Sequence, residues 1–260
     1  MFSNLPETVT IKTISEDVTN GVFEVEGLYT GYGITLGNAL RRVLLSSLPG
    51  AAVTRVKIKN VPHEFSTLPG VVEDIVELTL NLKKVRFRMY TDELQIINLK
   101  VKGIKEVTAA DIETNAQVEV ANPESHLASL TAKNSELDME LTIERGLGYV
   151  PVEASKTEKL AIGMIALDAI YSPVMRTNFE VENMRVGDRT DYNRLKINII
   201  TDGTISPSSA IKRAAEILQQ HFGKVGQLEL KEITPPPAKD SEDKLVKAKK
   251  AASKTKSKKK

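Results

Sequence analysis

The sequence predicts an α+β fold in which a part built from a sheet and two long helices is interrupted by a strand-rich segment. A strand, a turn and a helix follow one another before Pro49, and the same order returns after Pro173. The region between them, residues 50–172, is rich in short alternating strands. With 260 residues, 41% of them hydrophobic, the chain is long enough to bury a substantial core.

The first stretch begins with a half-buried strand. Residues 22–26 alternate between apolar and polar side chains, which places Phe23 and Val25 on one side. Gly31-Tyr32-Gly33 is expected to break this strand with a turn. A helix is then predicted over residues 36–48, where Pro49-Gly50 ends it.

The predicted helix over residues 36–48 has an apolar side and an arginine side. At about 100° per residue, one side carries Leu36, Leu40, Val43, Leu44 and Leu48. Arg42 lies nearly opposite the middle of that side, and Arg41 lies near its edge. A core helix with two solvated arginines is the plainer interpretation. Poor helix formers around its start favour a functional role, because they indicate a backbone that turns tightly or is approached closely.

The middle stretch combines several predicted strands with one helix. The strands are expected at residues 53–58, 86–89, 94–101, 117–120 and 139–143. The helix is predicted over residues 71–82, where an apolar stripe comprises Val72, Ile75, Val76, Leu78 and Leu82.

The third stretch repeats the pattern of the first. Residues 195–200 are predicted to form a strand, and Asp202-Gly203 a turn. A helix then begins after Ser206, which suits the N-cap, with Pro207 at the first helical position. Along one side of that helix, helical spacing aligns Ile211, Ala215, Leu218 and Phe222.

Charge separates the body of the chain from its end. The formal net charge is +2, yet residues 244–260 hold nine lysines and no acid, so removing them leaves −7 for residues 1–243. An acidic body argues against a broad DNA-binding face. After Pro235-Pro236-Pro237 the sequence is rich in lysine, alanine and serine, which predicts a disordered tail over residues 234–260.

The composition also excludes several kinds of chemistry. Without cysteine there is no disulfide and no thiolate zinc site. None of the three histidines stands at metal-ligand spacing, and no nucleophile motif or phosphate-binding loop is present, so we expect no catalytic residue, metal or cofactor. Gly31-Tyr32-Gly33 lacks the third glycine of a dinucleotide-binding loop. No signal peptide or membrane-spanning run is seen, which predicts a cytosolic protein.

Several runs, in order along the chain, resemble the N-terminal domain of the RNA polymerase α-subunit family of bacteria and plastids. The runs lie at residues 36–50, 63–67, 73–83, 107–112, 145–151, 171–174 and 189–191, followed by the helix from Pro207. Each is modest alone, but together they cover almost the whole body. Members of this family are non-catalytic subunits of a nucleotidyltransferase that carries out transcription.

The resemblance implies a domain division and a homodimer. It implies a discontinuous dimerisation domain over residues 1–49 and 173–233, with residues 50–172 inserted as a strand-rich domain. The helices near Leu36 and Pro207 would pack against their copies across a two-fold axis. The implied dimer interface comprises Leu36, Leu40, Leu44, Ile211, Ala215, Leu218 and Phe222.

The resemblance also implies two large partners, the β and β′ subunits, with omega and sigma reached indirectly through the holoenzyme. Arg42 matches the arginine most associated with β binding, and its fork suits bidentate contacts. The implied β-binding set is Gly31, Gly33, Thr35, Gly37, Asn38, Arg41, Arg42, His63, Glu64 and Ser66. The implied β′-binding set is Lys83, Tyr171, Val174 and Arg189.

The end of the chain departs from the family pattern. Typical members continue through a linker into a small helical domain that binds upstream promoter DNA and activators, whereas this sequence stops at Lys260. We therefore expect that DNA-reading module to be lacking, and any contact with DNA or RNA to be a weak, salt-dependent one through the lysine-rich tail. A solubilising role for the tail is the alternative.

Two other functions compete with the assembly platform. A stand-alone nucleic-acid-binding protein would act through the basic tail, which deletion of residues 244–260 would test. An enzyme on an α+β scaffold would need a convergent group of titratable side chains, and the sequence offers none.

Overall fold

The computed structural model describes residues 9–155 and 163–228, which form fifteen strands and four α-helices. The strands are β1 Thr10–Glu16, β2 Asn20–Leu28, β3 Pro49–Ile58, β4 Phe87–Met89, β5 Gln95–Lys102, β6 Lys105–Thr108, β7 Ile112–Glu113, β8 Val118–Val120, β9 His126–Leu130, β10 Glu136–Leu147, β11 Tyr149–Val150, β12 Met164–Ala166, β13 Ala169–Ile170, β14 Val174–Val186 and β15 Arg189–Thr201. The helices are α1 Tyr32–Ser46, α2 Ile75–Leu82, α3 Val152–Ser155 and α4 Pro207–Gly226.

The first sheet joins the two ends of the described chain. Its four antiparallel strands lie in the order β1-β2-β15-β14, so strands far apart in sequence become neighbours. Phe23 stands opposite Ile197 and Val25 opposite Leu195, and all four side chains are buried. Their core also contains leucines of α1 together with Ala210 and Ala214 of α4. This core is formed only by residues before Pro49 and after Pro173.

The second sheet is built entirely from the middle of the chain. Its path is β7-β5-β10-β3-β4-β8, and β12 pairs with β3 beside that path. The central strand β10 contributes Leu137, Met139, Leu141 and Ile143 to the core, all nearly inaccessible to solvent. Helix α2 belongs to the same core. Two small sheets, β11-β13 and β6-β9, accompany it.

These observations confirm the α+β class. The discontinuous domain division stays a prediction, although each sheet has its own core. By its internal contacts the chain divides into one compact unit over residues 1–222 and another from residue 223, of which the structure describes residues 223–228. The predicted disordered tail over residues 234–260 lies outside the described residues.

Two predicted helix boundaries were wrong. Helix α1 begins at Tyr32, four residues before the predicted start. Gly33 and Ile34 are thus helical despite their low helix propensity. Helix α2 begins at Ile75 rather than at residue 71, because the Asp74 carboxylate caps it by accepting a hydrogen bond from the Glu77 amide at 2.7 Å. Val72 and Val76 are consequently exposed and do not belong to the buried stripe.

Strand β1 is an element that the sequence did not reveal. Every one of its residues is exposed, and Ile11 and Ile14 do not alternate with polar residues in a period of two. It is held by pairing with β2 and by Glu16, whose carboxylate accepts a hydrogen bond from the Ser208 amide at 2.9 Å. Because Ser208 lies in the first turn of α4, the negative carboxylate of Glu16 lies at the positive end of the helix dipole and stabilises the helix.

Candidate functional site

Helix α1 starts at a tightly held glycine. Gly31 has a left-handed backbone with φ of 86°, a conformation that glycine adopts without steric penalty. Its amide donates a hydrogen bond of 2.8 Å to Oδ1 of Asn193, and Nδ2 of Asn193 donates to Asn183. Asn193 is buried in β15, so it fixes the position at which α1 leaves the sheet.

Two predicted partner-binding glycines face the chain's own sheet. A Cβ atom on Gly33 would lie 2.7 Å from Val181, and one on Gly37 would lie 2.6 Å from the ring of Phe179. Both neighbours belong to β14. The expectation of a closely approached backbone is therefore met within the chain, and these two glycines set the spacing between α1 and β14.

The opposite side of α1 is polar and faces solvent. Thr35, Asn38, Arg41 and Arg42 are exposed, whereas Gly33, Gly37, Leu40 and Leu44 are buried. Within residues 9–155 and 163–228, neither Arg41 nor Arg42 forms an ion pair or a side-chain hydrogen bond. Two guanidinium groups on a rigid helix can bind carboxylates or carbonyls of another chain bidentately.

The loop after β3 carries the other predicted β-binding residues. His63 and Glu64 are exposed and Ser66 is half-buried, with Ser66 Oγ 3.2 Å from Nδ1 of His63. The Ile75 amide donates to the carbonyl of Ser66, which ties the loop to the start of α2. The loop is thus part of the second sheet's body, and among the described residues no hydrogen bond joins it to α1.

Arg189 lies beside the start of α1. Its Nε and Nη2 donate to the two carboxylate oxygens of Asp191 at 3.0 and 2.6 Å. The guanidinium also lies over the rings of Tyr29 and Tyr192, with centroid distances of 5.1 and 5.4 Å. Hydrogen bonds from Arg189 and Thr30 lower the pKa of Asp191 to about 2. The structure therefore brings a predicted β′-binding residue to the same corner as Gly31.

The other predicted β′-binding residues differ in accessibility. Lys83 donates to Asp168 at 2.8 Å, and this ammonium together with the Val152 amide lowers the pKa of the Asp168 carboxyl. Tyr171 and Val174 are buried, with 7% and 3% exposure. Burial also raises the pKa of Tyr171. Both side chains fill the chain's own core, and their contact with β′ stays a prediction.

The predicted dimer interface is only partly on the surface. Leu40 and Leu44 are 5% and 0% exposed and pack in the core of the first sheet. Leu36, Ile211 and Leu218 are half-buried. Ala215 is exposed, and Phe222 is 66% exposed. An accessible apolar set therefore remains on the two helices.

Residues 56–172 match a family model described as the RNA polymerase Rpb3/RpoA insert domain. Two curated relatives extend the similarity over most of the chain. The DNA-directed RNA polymerase subunit alpha of Symbiobacterium thermophilum is 51% identical over 209 residues, 80% of this chain and 66% of its own length. That of Alkaliphilus oremlandii is 49% identical over 214 residues, 82% of this chain and 67% of its own length. The chain belongs to the RNA polymerase α-subunit family.

The similarity to the α-subunit relatives has a defined extent. The chain spans about two thirds of the length of each. The family model coincides with the part of the chain that forms the second sheet. Helix α1 and the Arg189 corner lie outside that match. Across the described part of the chain, no helix is long and apolar enough to cross a membrane.

Sequence reasoning missed two residues that organise the α-subunit chain at the start of α1. Asn193 and Tyr29 lie 164 residues apart, and only the pairing of β2 with β15 brings them together. Asn193 occupies a position in β15 where the strand's alternation predicts a core residue. A polar residue at a core position is the one signal that could have pointed to it.

Proposed function

We propose that this chain is a homodimeric assembly platform of a DNA-directed RNA polymerase, itself non-catalytic, which recruits the β and β′ subunits for transcription. It acts in the cytosol without a metal or cofactor of its own, and it meets omega and sigma only through the assembled enzyme. Family membership supports the role. The described residues also contain no group of three or more His, Cys, Asp or Glu side chains placed to hold a metal.

The two faces of α1 carry this proposal. The inner face packs closely on β14 at Gly33 and Gly37. The outer face presents Arg41 and Arg42 to solvent. Unengaged guanidinium groups on a helix that is packed against its own sheet can pair with carboxylates or carbonyls of another chain, which favours the outer face as a docking surface for β.

The accessible apolar residues of α1 and α4 support self-association. Phe222 exposes 66% of its surface, and Leu36, Ile211 and Leu218 are half-exposed neighbours of the same core. A symmetric dimer would cover these side chains with their own copies, which suits an apolar, self-complementary interface. In this proposal β binds the polar outer face of α1 and leaves the apolar flank to the second copy.

The β′ subunit is proposed to contact Lys83 and Arg189. Both side chains are partly accessible, and both are already held by a carboxylate of the same chain. A pre-oriented cation needs little further ordering on binding. With Tyr171 and Val174 buried, these two cations are the more accessible members of the predicted set.

Substitution Arg42→Ala tests the proposal. We expect sedimentation to show an unchanged dimer, because Arg42 lies on the face of α1 opposite its core. Recovery of β with the tagged variant should fall about tenfold or more, as for an arginine at the centre of an interface. Co-purification and quantitative mass spectrometry would measure that recovery.

Lys100→Ala is the matched control, because Lys100 is an exposed cation on β5 of the second sheet. It should leave recovery of β unchanged. Dissociation of the Arg42→Ala protein into monomers would show that α1 does not separate its two contacts. Normal recovery of β from an intact dimer would refute the assignment of β to this face.

A further inference from the structure

A cavity of about 200 Å³ lies where the second sheet meets the segment that leads into α4. One wall consists of residues of β3, β4 and β10, including Arg88 and Arg145. The other wall contains Thr204, Ile205 and Arg213. The cavity lining includes neither the exposed arginines of α1 nor Arg189.

The lining of this cavity is strongly cationic. Arg88, Arg145 and Arg213 all contribute to it, and none of the described residues that line it is acidic. Three guanidinium groups around one small space repel one another unless an anion lies between them. Each also offers several N–H donors in a planar fork, the geometry that suits an oxyanion.

Arg88 is held rigidly at the edge of the cavity. Its Nε donates to the carbonyl of Thr204 at 3.0 Å, and its Nη2 donates to the carbonyl of Gly203 at 3.0 Å. These bonds connect β4 to the turn before α4 and fix the plane of the guanidinium. A donor that is ordered before binding adds affinity at little entropic cost.

The neighbouring carboxylates leave part of this positive charge uncompensated. Glu119 pairs with Arg88 at 3.2 Å, and Asp92 pairs with Nη1 of Arg145. Both acids lie outside the lining and are largely solvated, with side chains 53% and 86% exposed. Arg213 forms no ion pair in the described part of the chain, and Arg145 keeps Nε and Nη2 without a partner there. One complete guanidinium and a second fork therefore remain available.

We propose that this cavity binds a small oxyanion of the phosphate class, either free phosphate or the phosphate group of a small ester. Its volume is below the roughly 300 Å³ at which sites for drug-sized ligands begin, so the occupant is one anionic group rather than a nucleotide base or a peptide. Arg213 and Arg145 supply the new hydrogen bonds, and Arg88 supplies fixed charge. The site does not depend on the proposed role in polymerase assembly.

Calorimetric titration of the full chain tests this site. Inorganic phosphate, glycerol phosphate and acetate would each be titrated at an ionic strength held constant with chloride. We expect saturable binding of at least one phosphate compound and none of acetate, because a tetrahedral dianion can engage two guanidinium forks at once. Binding of glycerol phosphate as well as inorganic phosphate would identify an ester group as an acceptable ligand, and binding of inorganic phosphate alone would identify the free ion.

Variants of the cavity arginines and a matched control assign the binding to this place. Arg213→Gln and Arg145→Gln should each weaken phosphate binding about tenfold or more, since each removes a charge-assisted hydrogen bond. Lys212→Gln makes the same change of charge at the adjacent, exposed position of α4, outside the lining, and should alter binding less than twofold. Circular dichroism would show that all three variants are folded.

Three results would overturn the proposal. The first is the absence of saturable binding of either phosphate compound by the folded chain. The second is binding of acetate as strong as that of phosphate, which would indicate general anion attraction. The third is an equal loss of binding in Lys212→Gln and Arg213→Gln, which would locate the effect in the overall charge of α4.

Discussion

Helices α1 and α2 both bury leucines against their sheets, but only α1 also packs through glycines. Helix α1 approaches β14 at Gly33 and Gly37, where the side chains of Val181 and Phe179 lie directly against the helix backbone. Helix α2 instead inserts Ile75, Leu78 and Leu82 into the second core, each fully buried. Close packing of a glycine backbone against side chains of the sheet fixes the position of α1 and leaves its outer face free for other contacts, whereas deep insertion makes α2 a helix whose main role is to fill the core.

The two helices also begin differently. Helix α1 has no side-chain cap and depends on Gly31 and on Asn193 of a distant strand. Helix α2 has a local cap, Asp74, and an adjacent anchor, Glu73. The start of α1 is therefore fixed by tertiary structure and the start of α2 mainly by its own sequence. This difference predicts that substitutions will affect the two helices by different mechanisms.

The largest expected effect is on the filled core beneath α2. Leu78→Ala should lower the free energy of unfolding by about 2–5 kcal/mol, because it leaves a cavity beneath a residue with no exposure. Urea denaturation followed by circular dichroism would measure the change. Leu80→Ala, two residues along the same helix but 51% exposed, is the matched control and should stay within about 0.5 kcal/mol. Similar losses for both variants would contradict the assignment of α2 as a core helix.

The anchor of α2 is predicted to depend on pH. Glu73 is buried, and burial alone would raise the pKa of its carboxyl. Hydrogen bonds from the Ser129 amide at 2.7 Å, from His126 and from the Ser129 hydroxyl outweigh burial and lower the pKa of Glu73 below its ordinary 4.5. The ionised form is thus the one that the fold favours, and it links the start of α2 to β9.

Substitution Glu73→Gln should lower the free energy of unfolding at pH 7 by about 1–3 kcal/mol, because buried donors lose a charged acceptor. The stabilisation by a carboxyl with a lowered pKa is fully present above its unfolded value and is lost as the pH falls through its folded value. The difference between wild type and variant should therefore shrink as the pH falls below about 4.5. Urea titrations across that range measure it. A difference that grows as the pH falls would contradict the sign.

The comparison also explains what the sequence could predict about the fold. Two elements follow local sequence rules. Strand β2 follows the alternation of apolar and polar residues around Phe23 and Val25. Helix α4 follows the N-cap rule, since the hydroxyl of Ser206 accepts a hydrogen bond from the Ser209 amide. The start of α1 follows no local rule. It is set by distant residues: Asn193 accepts a hydrogen bond from the Gly31 amide, and Val181 and Asn193 leave room only for a glycine at residue 33.

The candidate site was predictable to a similar degree. The helical period alone places Arg42 opposite the leucines, and that residue is indeed exposed. The same period cannot distinguish a leucine that faces the chain's own sheet from one that faces another molecule. Leu40 and Leu44, which the resemblance implies for the dimer interface, are buried in the core of the first sheet, and their part in an interface stays a prediction. The Arg189 corner depends on the register of β2 with β15, which no single segment encodes.

The smallest of the three effects concerns the close approach of α1, and it is the most specific to that helix. Gly37→Ala would place a methyl group 2.6 Å from the Phe179 ring, which must then move. Such overpacking costs about 1–3 kcal/mol, whereas helix propensity alone would favour alanine by about 1 kcal/mol. We expect a net loss of about 1 kcal/mol in the free energy of unfolding, measured in urea.

The control Asn38→Ala, at an exposed position one residue further on, gains propensity without a clash and should be neutral or slightly stabilising. If Gly37→Ala were instead as stable as Asn38→Ala, the packing of α1 on β14 would be loose, and the helix would not provide a rigid face for a partner.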